Sequence, residues 1–130
     1  MPSKRPIVIL SLVSSVAGCG MLPANVPEGC YRFDDGTPLF KIVGQQGFVL
    51  SNGQVKKFHV GGWHEFSRKS VEITPAFLLP GRPPGDPQRG NTVAIPSIAY
   101  STFAFNPEKN TLQIPVAAWG EEEVKLGRPC

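Results

Sequence analysis

The sequence lacks the motifs that mark the common enzyme active sites. It has no Gly-x-Ser-x-Gly elbow to hold a nucleophilic serine, and no glycine-rich motif to cradle a phosphate. It has no Cys-x-x-Cys pair. Its two histidines, His59 and His64, flank Val60-Gly61-Gly62-Trp63. On a regular strand that spacing puts them on opposite faces; a bend at the glycine pair could bring them together, but no Cys or Asp lies nearby to complete a metal site. They read as surface histidines. No catalytic residue, metal ligand or cofactor is assigned. Asp34-Asp35 read as turn formers and Glu121-Glu122-Glu123 as a solvated segment.

A dominant charge of one sign is also missing. The full chain carries 13 Lys and Arg against 10 Asp and Glu, but Lys4 and Arg5 precede the first apolar run. From Cys19 onward the balance is 11 to 10, a net of +1, which leaves no electrostatic footprint for nucleic acid. Long hydrophobic runs are absent. The longest, residues 7–18 (IVILSLVSSVAG), is 12 residues, short of the ~20 that a membrane-spanning helix needs. No window has the 3.6-residue period of an amphipathic helix with caps.

Glycine and proline are abundant at 14 each of 130 residues, and they separate short apolar runs. The pattern predicts strands joined by turns: YRF, LFKIV, FVL and VKKFHV as a meander, then VEIT, AFLL, TVAI, STFAF, TLQIPV and EEEVKL. Asp35-Gly36 and Asn52-Gly53 carry hairpin-turn chemistry. Pro75 is expected to make VEIT an edge strand. The fold class expected is all-β: a small antiparallel sandwich or barrel of about eight short strands. Core candidates are Tyr31, Phe33, Phe40, Ile42, Phe48, Leu50, Phe58, Val60, Val71, Ile73, Phe103, Phe105, Leu112, Ile114 and Val124. The loop at residues 80–90, PGRPPGDPQRG, is the most unusual segment. With Trp63, its Arg82 and Arg89 form the candidate binding surface. Trp119 is as readily a core plug.

The N-terminus has the build of a secretory signal, with Lys4-Arg5 ahead of the apolar run. The run ends in Val16-Ala17-Gly18-Cys19, which resembles the lipobox of bacterial lipoproteins: an aliphatic residue, two small ones, then cysteine. This resemblance covers the first 19 residues. It implies that the Cys19 thiol takes a diacylglycerol, that a dedicated peptidase removes residues 1–18, and that the new amine is acylated, for example with palmitate. Two or three chains, at about 0.8 kcal/mol per buried CH2, hold a protein at a bilayer far more firmly than one. The alternative is an ordinary signal cut after Gly18, with Cys19 incidental. Gly20, where an Asp tends to retain enteric lipoproteins in the inner membrane, implies the outer membrane, facing the periplasm, in a Gram-negative host. The body resembles, in type only, the small lipoproteins of bacterial envelopes.

With Cys19 lipidated, Cys30 and Cys130 remain, an even pair that suggests a disulfide pinning the last strand beside the first. Residues 19–29 then form a proline-containing tether reaching about 30 Å, and residues 30–130 the globular domain. The function expected is a non-enzymatic, lipid-anchored interaction or assembly module of the cell envelope. Its partners would be the membrane, through the lipid on Cys19, and another envelope protein, with no nucleic acid. The alternatives are a carrier of a small apolar ligand in a barrel cavity and, third, an envelope hydrolase using His59 or His64.

Overall fold

The alternating apolar positions become strands whose inner faces close on one another. A computed structural model describes residues 26–65, 69–118, 120–127 and 129–130, with the backbone alone at 63–65 and 69. The lipobox, with Cys19, lies outside the described residues, as does Trp119. The elements are β1 (Gly29–Arg32), β2 (Pro38–Val43), β3 (Gln46–Val49), β4 (Lys57–Glu65), β5 (Lys69–Thr74), β6 (Phe77–Leu78), β7 (Val93–Ala94), β8 (Ser101–Asn106), β9 (Thr111–Pro115) and β10 (Glu121–Leu126). None of the described residues is helical. Eight strands form a closed antiparallel barrel in the order β1-β10-β9-β8-β5-β4-β3-β2, and β6 and β7 pair separately.

The barrel is up-and-down, so its connections alternate between two ends. At one end lie residue 26, where the described chain begins, the turns at 44–45 and 107–110, and the segment after β10. The other holds the turn at 33–37, the loop at 50–56, the turn at 116–120 and the long β5–β8 connection, residues 75–100. We call the first the entry end and the second the lid end.

Eight strands enclose a space that side chains can just fill, or that can hold one small ligand. Here aromatic rings run through it in contact. Tyr31 meets Phe40 at 5.6 Å between centroids, Phe40 meets Phe58 at 5.0 Å, Phe58 meets Phe77 at 5.2 Å, and Phe77 meets Phe103 at 5.3 Å. Val71, Ile73, Leu112, Ile114 and Val124 are among the aliphatic residues packed around them. Phe77 is not on a barrel strand. The β5–β8 connection carries it and Leu79 into the core from the lid end, where Leu79 bridges Val116.

Two core candidates face outward instead. Phe48 is half-buried and Leu50 is 43% exposed. The register gives the reason: Ile42 lies opposite Gly47 and Phe40 opposite Val49. Paired residues share a face, so Gly47 and Val49 point in and Phe48 and Leu50 point out. The glycine is required because the Phe58 ring occupies the space a β-carbon at position 47 would need. Gly47→Ala is therefore expected to lower stability by about 1–3 kcal/mol through overpacking. Phe48→Ala, on the outer surface, should cost less. Urea midpoints of the two variants check this, and the reverse ranking would put the other face of β3 inside.

Three further expectations are corrected. Ser51-Asn52-Gly53 is not a tight hairpin. Residues 50–56 form a wider loop because Gly53 bridges Thr92 of the lid connection, whose hydroxyl accepts from Val55 N at 3.0 Å and donates to Val55 O at 2.7 Å. Pro75 ends β5 without making it an edge, since β5 pairs with both β4 and β8. The folded unit also begins earlier than residue 30. Val26 is buried in the core cluster, Gly44 N donates to the Glu28 carboxylate, and the Tyr31 hydroxyl donates to Pro27 O at 2.8 Å.

Burial raises the pKa of Tyr31 well above the ordinary tyrosine value. The folded chain keeps that proton at a pH where the unfolded chain loses it. Tyr31's contribution to stability should thus be complete below about pH 10 and decline above it. Urea titrations from neutral to strongly alkaline pH should show the decline, and Tyr31→Phe should flatten it.

Candidate functional site

The loop at residues 80–90 is a series of tight turns. Asp86 N donates to Pro83 O at 3.1 Å, Arg89 N to Asp86 O at 3.0 Å, and Gln88 N to the Asp86 carboxylate at 2.8 Å. Its two arginines part ways. Arg82 is half-exposed, beside Asp86 at 4.0 Å and Gln88 at 3.4 Å. Arg89 turns inward, with 7% of its side chain exposed, so it leaves the candidate binding surface. Its guanidinium carbon stands 4.1 Å from the centroid of Phe33, its Nη2 pairs with Glu122, and its Nε lies 3.9 Å from Asp35. Among the described residues Nε and Nη1 have no hydrogen-bond acceptor. The stack on Phe33 offsets part of that loss.

Arg89 thereby ties the lid to the β1–β2 turn and to β10. Glu122, expected in a solvated run, is one of its partners. Asp35 keeps its expected turn role, accepting from Thr37 N at 2.9 Å. That bond and the Thr37 side chain, with help from Arg89, lower its pKa.

The third candidate, Trp63, has a described backbone, paired with Val71, but its side chain lies outside the described atoms. The β4 register shifts between Val60 and Trp63, which places the bend at Gly61-Gly62. His59 is exposed, and the His64 side chain is outside the described atoms. Among the described residues no three His, Cys, Asp or Glu side chains gather to hold a metal. The lid also exposes apolar surface: residues 96–100 are all exposed, with Ile98 at 48% and Tyr100 at 50%.

A second feature lies on the β1–β10 seam. An open groove of about 640 Å³ runs along it, lined by Arg32, Gly36, Lys125, Leu126, Gly127 and Pro129. Arg32 and Lys125 stand directly opposite each other in the register, and like charges so placed repel. Arg32 is held by backbone carbonyls, with Nη1 donating to Gly36 O at 3.0 Å and Nη2 to Pro129 O at 3.4 Å. On the same seam Cys30 and Cys130 form a disulfide with a Cα–Cα distance of 5.3 Å, pinning the chain end beside β1 as expected. The sequence held one hint of the groove, the cysteine pair that brings β1 and β10 together. The inward turn of Arg89 had no local signal.

The site residues therefore do not converge. Arg82 and the Ile98–Tyr100 stretch sit on the lid end, Arg89 serves the interior, and Trp63 lies on a strand of the wall. No family model, curated protein or solved structure matches the chain.

Proposed function

We propose that the chain is a lipid-anchored, non-enzymatic lipoprotein of the bacterial cell envelope, held at a membrane through acyl groups on Cys19 and acting as an interaction module for another envelope protein. The observation that carries this reading is the Val16-Ala17-Gly18-Cys19 sequence after a short apolar run. The fold supports it in one respect. The described chain begins at the end of the barrel opposite the lid, so an anchor at Cys19 leaves the exposed Ile98 and Tyr100 at the end farther from the attachment point. In a Gram-negative host the surface would be the outer membrane, facing the periplasm.

The test is the mass of the reduced tryptic peptide running from Cys19 to Arg32. We expect it to carry a diacylglyceryl group, with or without an amide-linked acyl chain. A peptide with bare Cys19, or protein retaining residues 1–18, overturns the anchor. The second reading, a carrier of a small apolar ligand, draws on the closed barrel. The rings in contact across its interior lead us to rank it second, and native mass spectrometry showing lipid adducts on the protein would reverse that order.

A further inference from the structure

The outer face of β2, β3 and β4 is unlike the rest of the barrel. Residues 36–64 contain no Asp or Glu but hold three lysines and both histidines. From Cys19 onward, the remainder of the chain has eight Lys and Arg against ten Asp and Glu. The register concentrates this excess. Lys41, Phe48 and Lys57 lie side by side across the three strands, with the Lys41 Nζ 5.8 Å from the Phe48 centroid. Lys56 is adjacent in sequence. Val43, 53% exposed, and Leu50, 43% exposed, flank the row on the same face. None of the three lysines forms an ion pair among the described residues. Carboxylates stand at its margins: Glu28 is engaged by Gly44 N at the entry end, Glu65 ends β4 opposite Lys69, and Glu72 is on the next strand, β5, beside Gly61.

We infer that this face docks on the headgroup layer of an anionic lipid bilayer. The chemistry fits: unpaired lysines gain from a negative surface, while Val43, Phe48 and Leu50 can enter the interface between headgroups and acyl chains. The placement fits as well, given the lipid anchor proposed above, on which this inference rests. The Glu28–Gly44 contact sets the incoming chain against the β2–β3 turn. Seven residue steps separate Cys19 from Val26, a reach of at most about 24 Å. A six-residue strand is about 20 Å long, so the barrel can lie on this side without straining the tether.

The test uses the wild-type protein as isolated from membranes, reconstituted in vesicles of phosphatidylcholine alone or with about one phosphatidylglycerol in three, and exposed to a membrane-impermeant amine-reactive reagent. Lys41 and Lys57 should label about fivefold less in the anionic vesicles, with the difference removed by high salt, while Lys109 and Lys125 label equally in both. Equal labelling of Lys41 and Lys57 overturns the inference. So does protection in intact cells that vanishes in vesicles, which would assign the face to an acidic protein. The acyl mass of Cys19, read on the same sample, separates failure of the anchor from failure of the face. If Cys19 is bare, the processed protein is added to preformed vesicles. Co-sedimentation with anionic vesicles alone, reduced about tenfold by Lys41→Glu with Lys57→Glu, upholds the face, and its absence overturns it.

Discussion

Removal of the Cys30–Cys130 crosslink, by paired serine substitutions, should lower stability by about 2–5 kcal/mol. The cysteines are 100 residues apart, so the bond closes almost the whole folded unit into one loop. Chain-entropy models place such a closure near the top of that range, at about 4.7 kcal/mol. The position adds to the effect. The seam it spans is held by two registered pairs, Tyr31 with Leu126 and Arg32 with Lys125, and the second pair is repulsive. By comparison, β9 and β10 share five registered pairs. Opening the crosslink should therefore release β1 from β10 before any other strands part. Urea unfolding of the double variant gives the overall loss, and hydrogen exchange at β1 and β10 shows whether this seam opens first. A variant as stable as wild type would mean that the seam holds without the bond.

Phe77→Ala should be comparably severe, at about 3–5 kcal/mol, with a fall in Tm of roughly 15 °C or more. Phe77 is fully buried and touches Phe58 and Phe103, so it joins the two sides of the ring stack. Because it arrives from a connection and not from a strand, truncation empties one end of the barrel while the eight-strand ladder stays intact. Hydrogen bonding of its strands on both sides keeps the wall from collapsing into that space, and a persistent void is the costly outcome. Thermal unfolding by circular dichroism measures the loss. A change under 1 kcal/mol would show that Phe77 does not fill the space its position assigns to it.

The all-β class and most of the inner layer were legible because much of the barrel wall follows a two-residue alternation. Phe103 and Phe105 on one strand and Leu112 and Ile114 on the next are examples. The turn at Asp35-Gly36 was legible from its own chemistry, and so was the pairing of the two cysteines in the body. What hid from the sequence were positions whose role depends on a distant partner. Gly47 faces inward because Phe58 covers it, which makes the conspicuous Phe48 an outer residue. Leu39 breaks the alternation and is buried because the lid covers it near Gly90, while Ser51, on the neighbouring loop, donates to Gly90 O at 2.8 Å. Arg89 reads as a loop cation until Phe33, Asp35 and Glu122 are brought around it. These depend on how the β5–β8 connection folds back, and no local propensity encodes that path.

Closure of the wall has one more consequence, for how a partner can be recognised. Each of the eight barrel strands has a hydrogen-bonded neighbour on either side, so none of them is a free edge for an incoming chain to extend along its length. A protein that binds it has to read side chains, through pockets and charge, and cannot rely on the sequence-tolerant grip of β-augmentation.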